Sequence, residues 1–197
     1  MPTTPHSSIS SFSLYRAATA TAHLMGVELR TLDAVPPAER SDGTPCHFEG
    51  RVQSMHDWCR RNENLVIRRG MREARIFAGF QRLSRALPIQ KRYQRLAGVA
   101  REVSVFGIPD EPLTLTGARL VPLERGGLAR EWFLLIDGPG YKALLVARDL
   151  DGFHGEVPLV DRRFDGFATH HPDIVRAMVS ELTGRIARDP VAASGAA

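Results

Sequence analysis

Between Ala74 and Gly107 the apolar period of the chain changes twice, and that change limits the folds open to it. Ala74 to Gln81 carries Ile76, Phe77 and Phe80 in a short apolar run that reads as a strand. Pro88 can occupy a first helical turn, where its missing N–H costs nothing. Ile89, Tyr93, Leu96, Ala97 and Ala100 then fall at offsets of 4, 7, 8 and 11, one face of a helix, with Lys91, Arg92 and Arg95 largely outside the stripe. Val103 to Phe106 returns to a strand closed by Gly107. Strand, helix, strand is a βαβ unit with a right-handed crossover, and it requires a sheet for both strands to join.

The rest of the pattern extends that sheet. Ala118–Leu123 is a short strand, and Glu131–Asp137 and Tyr141–Asp149 form a hairpin around Gly138-Pro139-Gly140. The run Ala143 to Ala147 is continuously apolar, which predicts a central strand buried on both faces. Arg163–Thr169 is a further strand. After Pro172, Ile174, Val175, Met178, Val179, Leu182 and Ile186 mark the last helix. The expected fold is α+β: a single domain with a mixed sheet of about five or six strands flanked by helices, including the βαβ unit and a C-terminal hairpin, strand and helix. Upstream, a helix is expected near Leu14 to Leu29. A loop broken by Pro36, Pro37, Gly43 and Pro45 follows to Gly50, and 51–72 opens as a charged helix. The expected layout is a flexible tail at 1–13, a helical and loop extension at 14–72, the main domain at 73–188 and a second tail at 189–197.

Composition narrows the setting. No apolar run approaches the roughly 20 residues that span a bilayer, so no membrane partner is expected. The Ser-, Thr- and Pro-rich start lacks the basic and apolar segments of a secretory signal. The two cysteines, Cys46 and Cys59, suit free thiols in a reducing cytoplasm better than a disulfide framework. Arg far outnumbers Lys and Ala is abundant, which suggests a GC-rich bacterial genome. From Arg51 to Glu102 there are 13 basic residues against 4 acidic ones, a local excess that could draw nucleic acid or an acidic partner.

Motifs for chemistry are sparse. There is no phosphate loop, no dinucleotide fingerprint and no nucleophile elbow. Cys46, His47, His56 and Cys59 are four zinc-capable residues within fourteen positions. Neighbours such as Cys46 and His47 diverge on a strand, however, and a thiol with two surface histidines is the plainer reading, so no metal site is assigned. His170 and His171 stand where a helix begins and read as cap positions. Asp149, Asp151, Asp161 and Asp165 match no calcium-loop spacing and read as loop acids. Glu131 and Phe133 share a strand face, where the carboxylate could meet Arg148 or Arg163. No nucleophile–base pair stands out, and the expectation is a protein that is not an enzyme.

Three stretches resemble the DICT sensory domain family: Phe77 to Asp110, Leu128 to Gly152 and Asp161 to Val179. The features that carry the resemblance are Phe80-Gln81, Arg92-Tyr93, Phe106-Gly107, Glu131-Trp132, Leu145 to Asp149, Arg163-Phe164, and Thr169 before the last helix. It spans about Glu73 to Arg188. The family accompanies diguanylate cyclases, two-component kinases and helix-turn-helix regulators in bacteria and has a suggested link to light responses. It implies a sensory role and carries over no catalytic residue, ligand or cofactor.

With no room for a cyclase, kinase or DNA-binding domain, the expected function is a stand-alone sensory or signal-relay domain. It would bind a small ligand, or a signalling partner (kinase, cyclase or transcription regulator) in trans. A basic nucleic-acid-binding regulator is the alternative. For the ligand site the sequence nominates Arg92, Tyr93, Glu131, Trp132, Arg163 and Phe164, polar and aromatic residues of the resembling motifs.

Overall fold

The computed structural model describes residues 9–36, 43–151 and 157–189; the far ends of both expected tails lie outside them. Among the described residues the strands are β1 (Arg30–Leu32), β2 (Cys46–Arg51), β3 (Arg75–Arg82), β4 (Glu102–Ile108), β5 (Arg119–Pro122), β6 (Glu131–Gly138), β7 (Tyr141–Asp149) and β8 (Arg163–Thr169). The helices are α1 (Leu14–Leu24), α2 (Val52–Arg69), α3 (Gln90–Ala97) and α4 (Pro172–Arg188). The class is the expected mixed α+β. The sheet has eight strands, more than the sequence suggested, in the order β1-β2-β8-β7-β6-β3-β4-β5.

The sheet is antiparallel at its centre and parallel at its two ends. β3–α3–β4 is the βαβ unit, with β4 parallel to both β3 and β5. β6 and β7 form the hairpin, and Gly138 pairs with Tyr141, so only Pro139 and Gly140 make the turn. Gly140 takes φ 66°, the left-handed value required at the third position of a type II turn. Ala143 to Ala147 are fully buried, because helices cover both faces of β7.

Period-2 alternation sorts the core into two layers. Trp132, Leu134 and Ile136 of β6 face α2 and α3, while Phe133 and Leu135 face α1 and α4. The two strands missed in the sequence, β1 and β2, extend the sheet beyond β8. β2 lies at the end of a segment that Pro45 and Gly50 mark as loop, and its only strand signal is the inward pair Cys46 and Phe48. Within the expected N-terminal tail, Ile9 and Phe12 bury against the α1/α4 layer, and Ile9 N–H donates to Asp189 at 3.1 Å.

Polar contacts pin α1 in place. Ser13 caps it by accepting from Arg16 N–H, and Glu131, 2% exposed, receives the Ser13 hydroxyl and the N–H groups of Leu14 (2.8 Å) and Tyr15 (3.3 Å). A carboxylate on the first turn of a helix satisfies donors that have no intrahelical partner. Burial nevertheless dominates and raises the Glu131 pKa from 4.5 to about 7, against the hydrogen bonds from Ser13 and α1.

Two outcomes follow. A Cβ added at Gly166 of β8 would overlap the ring of Phe48, its partner on β2. Gly166→Ala should therefore destabilise the protein by about 1–3 kcal/mol, read as a lower denaturation midpoint. For Glu131 the folded pKa exceeds the unfolded one. Its stabilisation is complete below about pH 4.5 and is lost as pH rises through about 7, on the order of 3 kcal/mol in all. Burial shifts Glu63 in the same direction, so Glu131→Gln should flatten the decline between those pH values without abolishing it. An unchanged pH profile would contradict this account of α1 docking.

Candidate functional site

A largely apolar cavity lies between α2, the turn leading into α3, and the β3–β6 part of the sheet. Its volume is about 390 Å³, within the usual range for small-molecule sites. The apolar stripe of α2 brings Cys59 and Glu63 inward and leaves His56 and Arg60 at the rim. Residues Leu83–Ile89, a 3-10 turn holding Pro88, carry Arg85 and Ile89 to the opposite lip, and α3 supplies Arg92 and Tyr93.

One wall is aromatic. Tyr93 meets Phe80 edge-on with ring centres 5.3 Å apart, and Phe80 leads to Trp132 at 6.4 Å. Trp132 stands edge-on to buried Phe164, and His56 closes over its outer side at 4.7 Å. Such tilted and edge-on pairs suit the ring quadrupoles, and only the edges of these rings reach the cavity, Tyr93, Phe80 and Trp132 being buried.

At the back, Glu63 accepts the Tyr93 hydroxyl at 2.7 Å and the Arg92 guanidinium at 3.2 Å. The carboxyl is 2% exposed, and burial raises its pKa despite the Tyr93 hydrogen bond and the Arg92 charge. Burial, and then the Glu63 charge, raise Tyr93 well above its ordinary value. Burial likewise pushes the Cys59 thiol up and His56 down, so the neutral form is favoured in each case. A thiol held protonated in this way is a poor nucleophile.

Burial acts on Arg85 in the same sense. Burial, then the charges of Arg162 and Arg82, press its pKa down, and its guanidinium bonds the Gln81 side chain. Among the described residues it forms no ion pair. Gln81 is fully buried and adopts φ 65°, a left-handed conformation uncommon for a residue with a side chain. It sits where the β3–β4 register shifts, and its amide also donates to the Arg130 carbonyl at 3.0 Å. This strained residue therefore holds the arginine at the cavity mouth.

The six residues nominated from sequence divide three ways. Arg92, Tyr93 and Trp132 line the cavity, with Phe164 packed behind Trp132. Glu131 is on the opposite face of the sheet, capping α1; pleating sends it away from its neighbour Trp132. Arg163 is at the surface, paired with Asp151 at 2.9 Å. Arg148 stands opposite Glu131 in register but pairs with Asp165, and Arg162 binds Asp149, so three of the supposed loop acids are ion-paired. Cys46 and His47 point to opposite faces, toward the α2 layer and toward Tyr15 respectively, so these four zinc-capable residues do not converge. His171 occupies the cap position of α4 but makes no side-chain cap bond; Thr169 Oγ1 accepts its N–H instead. His170 turns inward, 2.6 Å from the Lys142 carbonyl.

Sequence reasoning missed Glu63, Cys59 and Arg85 as cavity residues. For the first two a signal was present: Val52, Met55, Cys59, Asn62, Glu63 and Val66 fall on one helical stripe, so the polar pair is carried into the core. The basic excess is partly neutralised, since Arg75, Arg82, Arg92 and Arg101 pair with Glu102, Asp110, Glu63 and Glu73. Among the described residues no helix is long and apolar enough to cross a membrane.

No curated protein matches the chain. Among solved structures it is similar to Nuc of Salmonella typhimurium, a phospholipase D family member, at 12% identity and TM-score 0.40, over 73% of this chain and 95% of that one. A family model, described as a sensory domain in diguanylate cyclases and two-component systems, matches residues 42–150. That span takes in β2 and all of α2, ahead of the motifs noted in the sequence, and contains nearly every residue around the cavity. The chain belongs to the DICT sensory domain family.

Proposed function

We propose that this protein senses a small organic acid with a flat aromatic or conjugated body, bound in the cavity between α2, α3 and the sheet, and relays its presence to a signalling partner without turning it over. The observation that carries this reading is the pairing of an aromatic wall, from Tyr93 through Phe80 to Trp132, with guanidinium groups at the mouth. A flat apolar body gains by displacing water from such a wall. The acid group is favoured because Arg85 forms no ion pair among the described residues and burial disfavours charge on Glu63, which leaves the Arg92 charge incompletely balanced.

The same geometry supports a relay. Glu63 belongs to α2 and Arg92 to α3, so an incoming carboxylate competes with Glu63 for Arg92 and alters the bond between the two helices. A ligand can shift a conformational balance only through such differential contacts. The output partner is of the kind that accompanies the family, a kinase, a cyclase or a transcription regulator.

Thermal-shift titrations with benzoate, salicylate, cinnamate and indole-3-acetate, each beside its neutral amide, test the proposal. At least one acid should raise the melting temperature by a few degrees where its amide does not. Arg92→Gln should remove the difference, Trp132→Leu should weaken binding about tenfold or more, and Arg163→Ala should leave it unchanged. Equal responses to acids and amides, or full retention in Arg92→Gln, would refute it.

A further inference from the structure

On the other face of the sheet a second concavity of about 560 Å³ opens where β6 begins and β7 ends. Its walls are Ser11 and Ser13 ahead of α1, the Arg125–Gly127 loop, and the strand ends at Glu131 and Arg148. Four arginines line it: Arg16, Arg125, Arg130 and Arg148.

The two acidic side chains that line it are already engaged. Glu131 is taken up by the three donors at the start of α1, and Asp149 is buried in its pair with Arg162, 2.9 Å away. Arg148 binds Asp165 and lies over the Tyr15 ring at 4.1 Å, while its Nε is buried without a hydrogen-bond partner. Arg16, Arg125 and Arg130 are exposed and form no ion pair among the described residues. Ordinary surface arginines scatter among carboxylates; here three unmatched guanidinium groups and one partly satisfied one share a single hollow.

The hollow is also firmly built. A Cβ at Gly126 would meet the Ser10 carbonyl, and one at Gly127 would meet the Phe12 carbonyl at 2.6 Å, so the loop bearing Arg125 packs backbone against backbone on the segment ahead of α1. Glu124 N–H donates to the Ser10 hydroxyl at 2.9 Å and fastens the same contact. The guanidinium groups are thus mounted on a held rim, and less freedom is lost when they close on an anion.

We propose that this hollow binds a small phosphate-bearing molecule, with Arg16, Arg125 and Arg130 as its principal ligands and Arg148 at its floor. Several guanidinium groups around one hollow suit a multiply charged anion, whose oxygens accept forked N–H pairs from more than one arginine. A monocarboxylate, with a single charge on two oxygens, would match fewer of them. Concave placement favours a compact ligand over an extended phosphate backbone, which would need cations in a strip. The site lies across the sheet from the aromatic cavity and does not depend on it.

Isothermal titration with sodium pyrophosphate at low ionic strength tests this on the full chain. Saturable one-to-one binding is expected, weakened at least about tenfold by Arg125→Ala combined with Arg130→Ala. Both side chains are exposed and unpaired among the described residues, so this variant should keep the wild-type circular dichroism spectrum. Arg68→Ala with Arg69→Ala, at the far end of α2, should change affinity by less than about twofold, as should Trp132→Leu. Absence of saturation, equal weakening by both double variants, or tighter binding of a single-stranded oligonucleotide than of pyrophosphate at the same salt would overturn the proposal.

Discussion

The bond between Glu63 and Tyr93 is the contact on which the cavity and its surroundings depend. A carboxyl group taken almost wholly from water is tolerated only when its oxygens are met, and here a buried hydroxyl at 2.7 Å and a guanidinium at 3.2 Å meet them. The bond ties α2 to α3 across the outer layer of the sandwich. It fixes Tyr93 edge-on to Phe80, and Phe80 in turn sets the spacing to Trp132. Removing the hydroxyl would leave Glu63 to Arg92 alone and loosen the back wall. A polar group that costs stability at this position is understandable if the same group registers what enters.

The sheet makes two separate sites from adjacent residues. β6 sends Trp132 toward α2 and Glu131 toward α1, because successive side chains on a strand face opposite ways. The aromatic cavity and the arginine-lined hollow therefore share a strand but not a face. Glu131 holds the start of α1 against the sheet, and Arg16 and Arg125 flank that same contact.

Much of the framework was legible because period and punctuation agreed. The change from strand to helical spacing around Pro88 marked the βαβ unit, and the unbroken run Ala143 to Ala147 marked a strand covered on both sides. β2 was obscured by its own punctuation, since Pro45 precedes and Gly50 interrupts a strand with two inward side chains. Within the motif pair Glu131-Trp132, adjacency in sequence implied a shared site where pleating forbids one. Arg163 was nominated as a polar residue of the resembling motifs, and membership of a motif does not distinguish a pocket wall from a surface pair with Asp151. Glu63 stands thirty residues before Tyr93 in a helix crowded with charges, and only the fold brings the two together.

The chain has two tryptophans, and both lie on the α2 side of the sheet: Trp132 in the aromatic wall, and Trp58 outside the cavity lining, beside His170. Protein labelled with ¹⁵N at the indole nitrogens should therefore give two resolved signals that report separately on cavity and core. On titration with the tightest-binding aromatic acid, the account predicts a saturable shift of the Trp132 signal while that of Trp58 holds its position. A Trp132 signal that stays fixed while the ligand binds, or two signals that drift together without saturation, would contradict the claim that this cavity is where the protein senses.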